Sequence, residues 1–241
     1  MNAKDRIIIP LDVSSADEVR KLVTDLAPHV GLFKVGYQLI YSIGAAAAVK
    51  LVQAFGGEVF LDGKFHDIPN TVGNAAKEVA GLRLKMLNVH ASDGLEAMRA
   101  VVAHKGDALA LAVTILTSLS DDECLRIYGG TAKRKVLQFT TEAEEVGMDG
   151  VICSPQELAL LGEYAAFTDG FLKVTPGVRP EWAATDDQKR VMTPGEAILA
   201  GADYLVIGRP ITDPPKEIGG PVEAAKLIIE EIETALANRA K

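Results

Sequence analysis

Short apolar runs alternate with longer amphipathic stretches along the whole chain. Residues 6–11, 31–35, 58–62, 86–90, 109–113, 150–153, 171–174 and 204–207 are rich in aliphatic side chains and too short for helices, so they read as buried strands. Between them, residues 16–26, 45–55, 71–80, 94–103, 133–146, 155–161, 195–200 and 222–237 carry apolar positions at helical spacing. Strand then helix, repeated eight times, predicts an α/β fold of the (β/α)8 TIM-barrel type. An open doubly wound sheet is the competing arrangement, but no GxGxxG turn follows the first strand. No composition shift, low-complexity tract or long linker divides the chain, so residues 1–241 are expected to form a single domain. The longest irregular stretch, 175–193 (TPGVRPEWAATDDQKRVMT), follows the seventh strand. A connection of that length in a compact domain predicts a mobile lid. A shorter irregular segment, 116–122, follows the fifth strand.

The third strand breaks the apolar pattern where it ends, in FLDGKFHDIPNT at residues 60–71. Alternation of side chains places Asp62 and Lys64 on one side of the strand and Asp67 beyond it, in the turn before a helix. Two carboxylates and an ammonium then face one small volume, either as a reactive cluster or as a structural ion pair. A barrel of this kind carries its active site at the C-terminal ends of its strands. Those ends hold Asp12, Lys34, Asp62, Lys64, His90, Thr114, Thr117 and Arg209, which are expected to converge on one mouth. His90 taken alone fits a hydrogen-bonded strand end better than a base. Gly63 is expected to point outward to the helix layer, His66 to be exposed or to bond within its turn, and Trp182 to pack when the lid closes.

After strands seven and eight the pattern suits phosphate. Thr175-Pro176-Gly177-Val178-Arg179 supplies a turn and a guanidinium, and Ile207-Gly208-Arg209-Pro210 supplies a glycine whose N–H can approach a ligand closely. Two arginines flanking that position can each grip phosphate oxygens in bidentate fashion.

Composition narrows the classes. A net charge of −8 argues against a nucleic-acid surface, so an anionic ligand needs locally placed positive charge. No apolar run is long enough to cross a bilayer, and the first residues, MNAKDRIIIPLDV, enter a strand without the regions of a signal peptide. Cys124 and Cys153 form neither a CxxC pair nor a metal-ligand spacing, which makes a reducing cytoplasm the expected compartment.

These segments resemble the bacterial type of orotidine 5′-phosphate decarboxylase. The similar stretches are IPLDV at 9–13, FKVG at 33–36, FLDGKFHDIPNTV at 60–72, VHAS at 89–92, LTS at 116–118, TPGVR at 175–179, DDQKRVMTP at 186–194 and VIGRPI at 206–211. They run in order over the whole chain. Phosphosugar relatives such as 3-keto-gulonate 6-phosphate decarboxylase and hexulose-phosphate synthase share the DxKxxD core, but HDIPNTV and the glutamine-bearing lid favour the orotidylate enzymes. Gly63 departs from the pattern, where a larger apolar residue is expected.

The resemblance implies decarboxylation of orotidine 5′-monophosphate to UMP, the last step of pyrimidine nucleotide synthesis, with neither metal nor organic cofactor. It implies that Lys64 stabilises charge at C6 and delivers the proton, that Asp62 sits beside the substrate carboxylate, and that Lys34 and Asp67 complete an alternating array. It further implies a homodimer in which Asp67 and Thr71 reach the neighbouring subunit's site. Asp12 and Lys34 would bind ribose hydroxyls and Thr117 the pyrimidine. Arg179, Gln188, Gly208 and Arg209 would hold the phosphate, with Pro176 in the adjoining turn. The alternatives are a phosphosugar lyase using Mg2+ held by carboxylates, and a non-catalytic nucleotide binder, which has no need of Lys64 between two acids.

Overall fold

The computed structural model describes residues 1–164, 167–183 and 192–239. Eight strands form in the expected places: β1 (Ile7–Pro10), β2 (Leu32–Val35), β3 (Val59–Phe65), β4 (Met86–His90), β5 (Leu109–Val113), β6 (Gly150–Ile152), β7 (Leu172–Pro176) and β8 (Tyr204–Val206). Each pairs in parallel with the next, and β8 pairs with β1 to close the barrel. Closure leaves no unpaired sheet edge, so every strand is buried on both faces and reads as a short apolar run rather than an alternating one.

The two pleat faces have separate jobs. Ile8, Leu32, Phe60, Met86, Leu111, Val174 and Tyr204 fill the barrel interior, while Ile7, Ile9, Phe33, Leu61, Leu87, Ala110, Val151 and Leu205 pack outward against the helices. A one-residue slip would exchange these sets, which pins the register. Where Gly150 of β6 pairs with Leu172 of β7 there is no room for a side chain: a Cβ at Gly150 would lie 2.3 Å from the Leu172 carbonyl oxygen.

Several helices begin where the sequence supplies side-chain caps. Ser15 accepts a hydrogen bond from the Glu18 N–H at the start of Ala16–Leu26, and Thr193 with Glu196 forms a reciprocal capping box at Pro194–Leu199. The long last helix, Pro221–Arg239, packs on Pro194–Leu199, and its Glu231 accepts from the Gly195 N–H at 2.8 Å. Three further helices were not visible in the apolar spacing. Tyr37–Ile43 is seven residues long, so its stripe of Leu39, Ile40 and Ile43 spans barely two turns, and Arg209–Thr212 is only four residues long. Asp121–Tyr128 starts inside the segment expected to be irregular; its signal is the Ser120 and Glu123 capping box and the left-handed Gly129 that stops it, at φ 71°.

The stretch expected to form a lid starts later than its sequence suggests, because Thr175 and Pro176 belong to β7. Gly177 turns the chain at φ 79°, Val178 bridges to Met192, and the Arg179 N–H donates to the Met192 carbonyl at 2.9 Å. Residues 184–191, with Gln188, lie outside the described residues. Trp182 packs, half-buried, against the outer core. Among the described residues no helix is long and apolar enough to cross a membrane.

Gly150→Ala is expected to lower the unfolding free energy by about 2–3 kcal/mol, because backbone rather than a flexible side chain must give way. Urea unfolding checks this; an unchanged midpoint would mean that the β6–β7 approach is looser than described.

Candidate active site

A break in the strand ladder builds the site. β3 and β4 are in register at Leu61–Leu87 and again at Phe65–Val89, so Asp62, Gly63 and Lys64 on β3 stand opposite Asn88 alone on β4. The surplus forms a bulge in which Lys64 adopts a left-handed backbone, φ 44°. For a residue with a Cβ this costs about 1–2 kcal/mol. The bulge returns the Lys64 ammonium to Asp62, with Nζ 2.7 Å from Oδ1. The other carboxylate oxygen, Oδ2, lies 3.0 Å from Lys34 Nζ on β2. Lys34 in turn stands 3.9 Å from Asp12 Oδ1, just beyond β1. A Cβ at Gly36 would lie 2.9 Å from the Lys34 ammonium, so the glycine leaves the room that this lysine occupies.

Asn88 was not among the residues expected here. Its Nδ2 donates to Asp62 Oδ1 at 2.7 Å, and its Oδ1 accepts from the Lys64 backbone N–H at 2.8 Å. The sequence signal was an amide within an otherwise apolar strand, on the same pleat face as His90. Tyr37 was missed as well; its ring lies 5.2 Å from Lys64 Nζ, within cation–π range.

Asp62 is 6% exposed. Burial pushes its carboxyl pKa up, but the Lys34 and Lys64 ammonium groups, with the bonds from Lys64 and Asn88, outweigh that and hold it below the ordinary aspartate value. His90 goes the other way. Burial first, then the nearby His66 and Lys64, depress its pKa to about 4, so the imidazole is neutral near pH 7. Its ring packs edge-on against His66 at 5.0 Å, as befits a packed strand end.

Two cavities meet at this cluster. One, of about 240 Å3, is bounded by Lys34, Asp62, Lys64, Ile115, Leu116, Thr117 and Cys153, and is mostly apolar apart from the charged floor. The other, of about 220 Å3, runs from Asp12 and Lys34 past Pro176, Gly177 and Arg179 to Gly208 and Arg209. Lys34, Pro176 and Val206 line both, so they form one trough with an apolar end, a charged middle and a guanidinium-rich end.

Most residues expected at the mouth are therefore gathered there: Asp12, Lys34, Asp62, Lys64, Thr117, Pro176, Arg179, Gly208 and Arg209. Thr114 is not. Its side chain is buried and its hydroxyl donates to the Ile152 carbonyl at 2.8 Å, tying β5 to β6. Asp67 and Thr71 are exposed, and no ion pair joins Asp67 to Lys64 of the same chain among the described residues. The Asp67 N–H donates to Asp93 Oδ2 at 3.1 Å, and Asp93, which follows β4, also pairs with His66 Nδ1; His66 is exposed, as expected, but its partner lies outside its own turn. Gly63 faces outward, where a Cβ would meet the Phe65 ring at 3.4 Å. Gln188 lies outside the described residues.

The fold and this cluster define a class: a (β/α)8 barrel whose mouth carries two lysines on one buried aspartate, next to an anion-suited pocket. A profile of the orotidine 5′-phosphate decarboxylase / HUMPS family matches residues 5–228, and the chain belongs to that family. It is 47% identical over 245 residues to an orotidine 5′-phosphate decarboxylase of Syntrophomonas wolfei, covering 97% of this chain and 100% of the relative. The Geobacter sulfurreducens enzyme of the same name is 49% identical over 239 residues, covering 95% of this chain and 97% of the relative. Among solved structures, an orotidine 5′-phosphate decarboxylase from Lactobacillus acidophilus superposes with a TM-score of 0.78 at 35% identity, covering 94% of this chain and 98% of that one.

The lowered Asp62 pKa has a consequence for stability. The contribution is complete above the ordinary aspartate pKa of about 4 and is lost as pH falls through the lower folded value. In Asp62→Asn this contribution should vanish, so its unfolding free energy should depend less steeply on pH between about 2 and 5 than that of the native protein. Urea titrations across that range check the expectation, and identical slopes would contradict it.

Proposed function

We propose that the protein decarboxylates orotidine 5′-monophosphate to UMP and CO2, the last step of pyrimidine nucleotide synthesis, through one domain spanning residues 1–241. The observation that carries the reading is the chain Lys34–Asp62–Lys64, one buried carboxylate held between two ammonium groups at 3.0 and 2.7 Å. Family membership and the trough beside that chain support it too.

Loss of CO2 from C6 leaves its bonding pair in the ring plane, where the pyrimidine π-system cannot take it up. The protein must supply a barrier reduction near or beyond the upper end of the usual range, roughly 8 to 23 kcal/mol. A fixed ammonium beside C6 does so electrostatically, because its charge is already oriented before the pair develops. In this reading the Lys64 ammonium faces C6, stabilises the developing carbanion, and transfers a proton from Nζ to C6 as CO2 leaves; the neutral amine is then reprotonated by solvent. Asp62 lies beside the substrate carboxylate, a repulsion relieved when neutral CO2 departs. Lys34 keeps Asp62 ionised and, with Asp12, meets the ribose hydroxyls. Thr117 meets the base, and Arg179, Gly208, Arg209 and Gln188 meet the phosphate beside Pro176. No metal or organic cofactor takes part.

Asp67 and Thr71 act on a second copy of the chain. Both lie exposed at the start of the helix Pro69–Ala80, beside Ile68, which is 66% exposed. A homodimer in which each Asp67 joins the partner's Lys64 completes the alternating array. The compartment is the cytoplasm. A Mg2+-dependent phosphosugar lyase fits less well, since both oxygens of Asp62 are engaged by ammonium and amide donors.

Lys64→Ala should still bind UMP and release essentially no CO2, as followed by trapping of CO2 from carboxyl-labelled substrate; near-normal release would remove Lys64 as the proton donor. Arg209→Ala should keep its fold and lose about 100- to 1,000-fold in kcat/KM, and added phosphite should partly restore turnover of a substrate lacking phosphate. An unchanged kcat/KM would take Arg209 out of the site. Mixing inactive Lys64→Ala and Asp67→Ala proteins should restore activity at roughly a quarter of the sites once subunits exchange, because one site of each mixed dimer is intact. No recovery despite proven exchange would contradict the shared site.

A further inference from the structure

We infer that Asn88 is a positioning residue for the reaction, a side chain that replaces the missing rung of the β3–β4 ladder and so fixes Asp62 and Lys64 together. This rests on the roles proposed above for those two residues. The bulge removes backbone pairing between Leu61–Leu87 and Phe65–Val89, so the Lys64 N–H faces β4 without a carbonyl in register. The Asn88 Oδ1 accepts that N–H at 2.8 Å. With its oxygen so committed, the amide must turn its Nδ2 toward Asp62 Oδ1, where the donor–acceptor distance is 2.7 Å. Asn88 is 1% exposed, so losing either bond leaves a buried polar group short of a partner.

Few side chains can fill this place. An amide of this length carries an acceptor and a donor on one rigid plane. An aliphatic residue would leave both a backbone N–H and a carboxylate oxygen short of a partner. A carboxylate would accept from Lys64 but repel Asp62. The same Asp62 oxygen takes both the Asn88 amide and the Lys64 ammonium, so the amide sets the carboxylate plane into which Lys64 points. The left-handed backbone at Lys64 then has a cause in the structure: the N–H bond to Asn88 holds the bulge closed, and the bulge aims the ammonium.

Two variants test this, with UMP affinity and thermal unfolding measured beside turnover. Asn88→Ala should lower kcat by about 10- to 100-fold while changing UMP affinity by less than about threefold, since the phosphate and base pockets are built by other strands. A native kcat in the folded variant would overturn the inference, as would equal losses of kcat and UMP affinity, which would mean general disorder. Asn88→Asp keeps the shape and the acceptor for Lys64. The groups facing Asp62 would then be Lys34 from β2, Lys64 from β3, Tyr37 after β2, and His90 with the new carboxylate from β4. That second negative charge should move the acid limb of the kcat profile up by roughly one pH unit or more, the two carboxyls titrating as a pair. An acid limb left where it is would overturn the donor half of the inference. The two readings fail separately: a fully active Lys64→Ala would sink the mechanism, whereas an inert Lys64→Ala with a native-like Asn88→Ala would sink only the role of Asn88.

Discussion

Taking a carboxylate out of water costs several kcal/mol unless it is paired and hydrogen-bonded, and Asp62 sits almost fully buried at the centre of the barrel mouth. The rest of the site follows from meeting that cost. Lys34 reaches it from β2, Lys64 returns to it through a strained bulge, and Asn88 donates from β4. Three adjacent strands thus converge on one side chain, and a parallel barrel is the architecture that brings neighbouring strand ends within that reach. Removing any one donor leaves a buried charge short of a partner, so the cluster is fixed as a unit.

The same pairing prepares the chemistry. Lys34 and Lys64 offset Asp12 and Asp62, and Arg179 and Arg209 at the other end of the trough place positive charge locally in a chain whose net charge is −8. An anionic substrate is therefore drawn to this mouth rather than to the surface at large. In the proposed reaction its carboxylate meets Asp62 as a like charge, while its reacting carbon meets an ammonium that is already in place. Binding energy from the distant guanidinium-rich end of the trough can hold the substrate in that otherwise unfavourable position. The left-handed backbone of Lys64 is local strain at the proposed proton donor, kept by the surrounding bonds.

Much of this was legible from residue order. Eight apolar runs gave eight strands because a closed parallel barrel buries both faces, and the charged residues at the run ends are those that line the trough. What escaped the pattern has physical reasons. The helix Tyr37–Ile43 has a stripe of only Leu39, Ile40 and Ile43, blurred by the exposed Tyr37 and Tyr41, so periodicity did not find it. The bulge at Asp62, Gly63 and Lys64 depends on pairing with β4, a relation between distant segments that one strand's alternation does not contain. Asn88 was hidden for the same cause, since an amide in a strand acquires meaning only once its opposite neighbours are known. Thr114 looked like a mouth residue by position, but its hydroxyl is taken by the Ile152 carbonyl of the neighbouring strand.

The most direct test follows the ultraviolet absorbance of orotidine 5′-monophosphate mixed with the purified native protein in EDTA, with Lys64→Ala as the matched control. Replacement of the orotidylate band by that of uridylate with native protein, and no change with the variant, is the expected result. An unchanged spectrum with native, well-folded protein in EDTA, together with turnover of a phosphosugar once Mg2+ is added, would contradict the account.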